Sequence, residues 1–272
     1  MAKMYTLSNG KVVTEPGNKS IIYLVIVLAI TSFFMLFIPI DWKAINFRNA
    51  GFILGQLFTP TSGQTYRDYF AFIVSTPVLN ALLETIRLSF GGTLIGALAS
   101  VPLAVLSARN IVKKPWIYQT ARAIMNFIRT IPMFVIAVVA IFFLGYGILP
   151  GIAAIAIFTF GIMTKMVYET IETIDMGPVE ALDACGANKV KAVGYAVFPQ
   201  VLPIYLGYFI YCFEINVRSS VILGFIGAGG IGIILYNNVG YRYDRVGGVI
   251  LLLFVVVVFI QSITRYVRGK LQ

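Results

Sequence analysis

The chain has 272 residues, 59% of them hydrophobic and only 12% charged, with a mean hydropathy of +0.88; a soluble domain would carry about 25% charge, so the composition indicates one integral membrane domain. Its formal charge of +10, from 21 Lys and Arg against 11 Asp and Glu, comes without a basic patch interleaved with aromatics outside the apolar runs, which argues for basic cytoplasmic loops and against nucleic-acid binding. There is no His, and the two cysteines, Cys185 and Cys212, look unpaired, so the usual zinc sites, His-based acid–base catalysis and a disulfide framework are all unavailable.

In chain order, residues 1–19 form a polar tail, expected on the cytoplasmic side. The uncharged run that follows predicts a first span over 20–40, retained because it is long for a signal-peptide core and no small-residue cleavage site follows. Residues 41–80 make the longest connection, expected outside, with a loop signal over Thr59–Thr65 and an aromatic segment at Asp68–Ile73 suited to the membrane surface. A second span is predicted over 85–108, its helix starting near Pro77 and kinked by Pro102, with Gly91, Gly92, Gly96 and Ala97 set for close helix contact. Arg109, Lys113, Lys114 and Arg122 then mark the cytoplasm. The uncharged stretch Thr130–Thr164 is too long for one span and divides at Gly145–Gly151, giving spans over 124–144 and 150–168. Polar residues 169–200 lead to a fifth span over 201–222 and a sixth over 246–264, and Arg265, Arg268 and Lys270 put the C-terminus inside. The expectation is an all-α polytopic membrane protein with about six transmembrane helices in one domain, 20–272, and both termini cytoplasmic. No internal repeat suggests a transporter built from two halves.

Gly177–Pro203 is the one long polar segment in the second half. It reads as two short helices joined at Gly186, where the backbone turns. Ala181, Ala184 and Ala187 give a face of small side chains, with Glu180 and Asp183 beside it. Pro199 and Pro203 punctuate the return to an apolar helix. This stretch resembles the Glu-Ala-Ala coupling loop of ABC-importer permeases: Glu180, Ala181, Gly186 and Pro199 match at the family spacing, while Leu182, Ala196 and Phe198 depart from it and keep apolar character. An ordinary helical hairpin between spans is the plainer reading of the same residues.

The resemblance narrows to the permease subunit of phosphonate-type importers, on Ala108-Arg-Asn110, Arg129-Thr-Ile-Pro132, Phe160-Gly-Ile-Met-Thr-Lys165 and Glu214-Ile-Asn-Val-Arg-Ser-Ser220 with Leu223–Gly232. Methionine and glycine-betaine permeases share the fold and parts of the glycine segment. That segment, including Gly227, Gly229 and Gly230, has no preceding strand and no Lys-Ser or Lys-Thr after it, so it is not a nucleotide loop; close packing and a gate both fit it. Glu214 and Arg218 lie one turn apart inside a span, near Asn216, Ser219 and Ser220. They either neutralise each other or leave Arg218 to meet an anionic substrate.

The resemblance implies a type I ABC importer permease, with Glu180, Ala181, Asp183, Gly186 and Pro199 for coupling to the ATPase and Glu214, Asn216, Arg218, Ser219, Ser220, Gly227, Gly229 and Gly230 for gate and pathway. It implies no catalytic or metal-binding residue and no cofactor in this chain, ATP and Mg belonging to a partner ATPase. The expected partners are a second copy of the chain, two ATP-binding subunits inside, a substrate-binding protein outside, and membrane lipid. The expected setting is a prokaryotic inner membrane and the cargo a phosphonate or related small phosphorus oxyanion. A permease of the same fold for methionine or glycine betaine, or an ATP-independent carrier or channel, is the alternative.

Overall fold

The chain falls into two units, Met1–Gly51 and Phe52–Gln272. The computed structural model describes residues 4–6, 12–14, 19–37, 47–61 and 63–271. Most of the polar tail, the end of the first predicted span at 38–40 and the start of the long connection at 41–46 therefore lie outside the described residues, as does position 62 in the loop after it. In the first unit, strands β1 (Met4–Thr6) and β2 (Val12–Thr14) pair antiparallel, with Tyr5 opposite Val13, and the apolar helix α1 runs from Lys19 to Phe37. Helix α2 (Phe47–Phe58) starts in the first unit and ends in the second.

The second unit is helical among its described residues. A capping box between Thr65 and Asp68 starts α3 (Tyr66–Ile73), which buries Tyr69 and Ile73 beside Gly248. Helix α4 (Thr76–Ser107) opens on Ser75 with a proline in its first turn and stays helical through Pro102. At ~1.5 Å per residue it is about 48 Å long, more than a bilayer core requires. Its partner is α7 (Ile148–Ile171). A Cβ on Gly92 would stand 2.6 Å from Ile155 Cβ, and one on Gly96 2.3 Å from the Ala156 carbonyl, so this pair packs backbone to backbone. Gly91 meets nothing within 4 Å and takes no part in the seam.

The third predicted span, 124–144, is two helices: α5 (Pro115–Thr130) and α6 (Met133–Leu144), bent by 87° at the break. Proline at 132 disfavours helical backbone at the residue before it, and Ile131 is extended at φ −84°, ψ 119°. Beyond α7 come α8 (Gly177–Ala184), α9 (Lys189–Ala192), a π-helical turn over Val193–Val197, α10 (Phe198–Phe225), α11 (Gly232–Asn238) and α12 (Tyr243–Leu271). Among the described residues four helical stretches are long and apolar enough to cross a membrane, and five if the α5–α6 pair is one broken span; residues 21–35 of α1 form a shorter apolar helix.

Candidate functional site

Helix α8 stands out from the bundle as a short handle. Only Val179 on it is buried, while Glu180, Ala181, Asp183, Ala184 and Cys185 are exposed. Its end is set by backbone geometry: Gly186 sits at φ +77°, its N–H donates to the Asp183 carbonyl at 3.0 Å, and the Ala187 N–H donates to the Leu182 carbonyl at 3.0 Å. This is a Schellman stop, which favours glycine at that position. The chain restarts at once, because Asn188 Oδ1 accepts the Lys191 N–H at 2.9 Å and caps α9.

The base of the handle is tied on both sides. Asp175 N–H donates to Gln200 Oε1 at 3.2 Å, and Gln200 Nε2 donates back to the Asp175 carbonyl at 3.2 Å, so entry and exit are held together. Beside it, Arg122 of α5 bonds Glu172 at the end of α7, donates to the Ser107 carbonyl at 2.9 Å, and lies over the Tyr168 ring at 4.5 Å. Arg109 N–H also donates to Glu172 Oε1, at 3.0 Å. One carboxylate thus joins the ends of α4 and α7 to the middle of α5 next to the handle. The predicted coupling residues Glu180, Ala181, Asp183 and Gly186 lie together on α8 and its exit, and Pro199 lies apart in the first turn of α10.

The residues predicted for gate and pathway divide among three environments. In the first, Glu214 and Arg218 pair at 3.1 Å, and Glu214 also takes Gln261 Nε2 at 3.0 Å, the Thr264 hydroxyl at 3.3 Å and Arg268 at 3.5 Å. The last three residues come from α12 and were not picked out from the sequence. Their spacing, 261, 264 and 268, puts one polar stripe on an apolar helix and was the available signal. Arg268 also borders a cavity of about 260 Å3 with Tyr208, Tyr211 and Gly207. Ser219, next to Arg218, is half-buried.

The second environment is the seam of α4, α7 and α10. Asn216 is 1% exposed and its Nδ2 donates at 2.8 Å to both Thr93 Oγ1 and Thr159 Oγ1. Ser220 is buried, its hydroxyl donating to the Val217 carbonyl at 2.7 Å.

The third is the glycine segment. Gly227, at φ +84°, ends α10 with the bonds seen at Gly186: its N–H reaches the Gly224 carbonyl and the Ala228 N–H the Leu223 carbonyl, each at 3.1 Å. Gly229 and Gly230 also have positive φ, and side chains there would meet Glu84 Oε1 at 2.8 Å and Thr85 Oγ1 at 2.7 Å. The Ile231 N–H then donates to Thr85 Oγ1 at 2.8 Å, docking the break between α10 and α11 on α4. A cavity of about 530 Å3 opens beside it, lined by Tyr146, Phe225 and Tyr236 among others. Both cysteines are free, Cys185 exposed and Cys212 buried. Outside the helices, its hydrogen bonds to Asp244 hold the Arg242 guanidinium above its ordinary value.

Residues 100–271 match the family described as binding-protein-dependent transport system inner membrane component. The chain is 35% identical over 195 residues to the phosphate-import permease protein PhnE of Mycolicibacterium smegmatis; the match covers 71% of this chain and only 37% of that protein. It is 32% identical over 191 residues to the phosphite transport system permease protein PtxC of Stutzerimonas stutzeri, covering 70% of each. Among solved structures, an inward-facing MetNI methionine ABC transporter aligns with a TM-score of 0.65 at 25% identity, over 73% of this chain and 100% of that one. Sequence and fold agree, and the chain belongs to the family of binding-protein-dependent transport system inner membrane components, with the fold of a type I ABC importer permease.

Proposed function

We propose that this chain is the membrane-spanning permease of an ATP-driven importer and carries a phosphonate or a related small phosphorus oxyanion inward by alternating access. Two copies form the pathway, two ATPase subunits grip them from the cytoplasm, and a binding protein delivers the cargo outside. Both termini, the α4–α5 turn and the handle face the cytoplasm, in keeping with Lys113, Lys114, Arg265 and Lys270 on that side. The observation that carries this reading is the handle itself: an exposed acidic helix with small side chains, stopped at Gly186 and clamped at its base by Asp175 and Gln200. A surface of that kind suits docking into a partner's groove and passing its motion to the bundle.

The substrate class is supported by the relatives, named for phosphate and phosphite, and by charge. Two guanidiniums, Arg218 and Arg268, face one carboxylate, Glu214, and leave a positive charge beside a cavity. Planar guanidinium forks bind phosphorus oxyanions well.

The test is made in proteoliposomes holding the permease, its ATPase and its binding protein, with phosphonate uptake and ATP hydrolysis measured together. Glu180→Ala and Gly186→Val should each lower uptake per ATP while the permease still folds. A side chain at Gly186 has open space and costs only the backbone strain, ~1–2 kcal/mol. Uptake that survives both substitutions, and ATP depletion as well, would identify an ATP-independent carrier instead.

A further inference from the structure

A groove of about 710 Å3 lies where the end of α4, the α4–α5 turn and the restart after the handle converge. Its walls are aliphatic: Val105, Leu106, Ile111, Ile117, Val190 and Val193. Val190 is 81% exposed, an unusual position for an aliphatic side chain beside a polar loop. Among the described residues, the only hydrogen-bonding side chains in the lining are Lys113, Lys114 and Lys189. None of the three is paired with a carboxylate among the described residues.

The chemistry of that lining selects its occupant. Protein interfaces are enriched in Tyr, Trp and Arg and depleted in Lys, and the lining of this groove is the reverse. An aliphatic trough that also carries unpaired ammonium groups matches a molecule with a long hydrocarbon chain and an anionic head. We infer that the groove binds an anionic phospholipid from the leaflet on the handle's side, with an acyl chain along Leu106, Ile117 and Val190 and the phosphodiester on Lys113, Lys114 and Lys189. Basic pockets between helices at a membrane face bind acidic headgroups by the same arrangement.

The lipid would touch both parts that must move relative to each other. Lys189 is on α9, just past the handle, and Lys113 and Lys114 are on the turn between α4 and α5. Lys113 and Lys189 also border a smaller cleft, about 120 Å3, lined by Glu180 and Asp183 of α8. A phosphate held by Lys113 and Lys114 on one side and Lys189 on the other would link the restart after the handle to the α4–α5 turn.

The test is retention of lipid by the purified permease, read by native mass spectrometry after incubation with phosphatidylglycerol or phosphatidylcholine of the same chains. Phosphatidylglycerol should be retained in preference. The triple variant K113Q/K114Q/K189Q should weaken that retention by roughly tenfold or more, while K191Q, exposed on the same helix outside the groove, leaves it unchanged. Glycerol phosphate, a headgroup without chains, should not displace the lipid. Equal retention of the two lipids, an unaffected triple variant, displacement by glycerol phosphate, or loss of the lipid when the ATPase subunit is added would each overturn the proposal. The substituted lysines are exposed, and an unchanged melting temperature certifies the fold of the variant. Since no uptake is measured, the result stands apart from the transport reading, and either can fail alone.

Discussion

At Glu214 one carboxylate faces donors from two helices: Arg218 on its own helix, and Gln261, Thr264 and Arg268 on α12. The Glu214 side chain is 10% exposed, whereas those of Arg218 and Arg268 are 46% and 36% exposed. That asymmetry decides the cost of losing it. Removing one partner of a fully buried pair costs about 3–5 kcal/mol; here both guanidiniums can swing their heads to water, so Glu214→Ala should cost roughly 2 kcal/mol. Glu214→Gln keeps one acceptor oxygen and should cost about half as much. Thermal melts of the purified protein read both, and equal melting temperatures for all three proteins would mean the cluster does not hold α10 to α12. The Glu214–Arg218 half of this cluster was legible from a spacing of one helical turn inside an apolar run. The Arg268 half was not, because it depends on which face of α12 meets α10. Asn216, two residues from Glu214, points to the opposite seam and hydrogen-bonds two threonines, a distinction that proximity in sequence hides.

The α4–α7 pair shows what an apolar helix needs when lipid offers no hydrophobic drive for association: backbones close enough for dispersion to count. Gly96 is at that limit. Any side chain there drives into the Ala156 carbonyl and Thr159, so Gly96→Leu should destabilise the fold by about 3 kcal/mol or more. Gly91→Ala, with nothing within 4 Å, should be neutral or stabilising by up to ~1 kcal/mol, since it removes only unfolded-state freedom. A large fall in melting temperature for Gly96→Leu with none for Gly91→Ala would check the seam; a tolerated leucine at 96 would refute it. Small residues at 91, 92, 96 and 97 signalled a contact, but hydropathy alone does not tell which of two adjacent glycines faces it. The same limit explains α5 and α6. A window of apolar residues measures length and not direction, so 124–144 read as one span, whereas Pro132 inside it is the corner between two helices. Both turn glycines, 186 and 227, do the same job in the same bonds, and only the first was read as a turn.

Across the whole molecule, the restart after the handle and a membrane-crossing helix are one object. From Lys189 to Phe225 the chain is helical without interruption, 37 residues that carry the restart after the handle into the helix holding Glu214. The π-helical turn at Val193–Val197 lies where a proline at 199 would otherwise clash with the Tyr195 carbonyl four residues earlier. Widening that turn accommodates the ring and keeps the helix unbroken; under the proposed function, displacement at α9 would pass to α10 instead of being absorbed at a hinge. Delivery also requires the base of the handle to stay closed, and the closure is the reciprocal pair between Asp175 and Gln200. Gln200→Ala removes both bonds, together with the one from Gln200 Nε2 to the Ala196 carbonyl. Each is worth about 0.5–1.5 kcal/mol, but partly exposed bonds exchange with water, so the local loss should be near 1.4 kcal/mol. That shifts the opening equilibrium of the handle by about tenfold. Amide hydrogen exchange across 176–188 should then speed by that factor while the core of α4 and α7 is unchanged. In the reconstituted complex ATP hydrolysis should continue as uptake per ATP falls, because the handle would move without pulling α10. If exchange quickens and coupling does not change, force reaches the bundle by another route, the nearest being Glu172 with Arg122 at the end of α7.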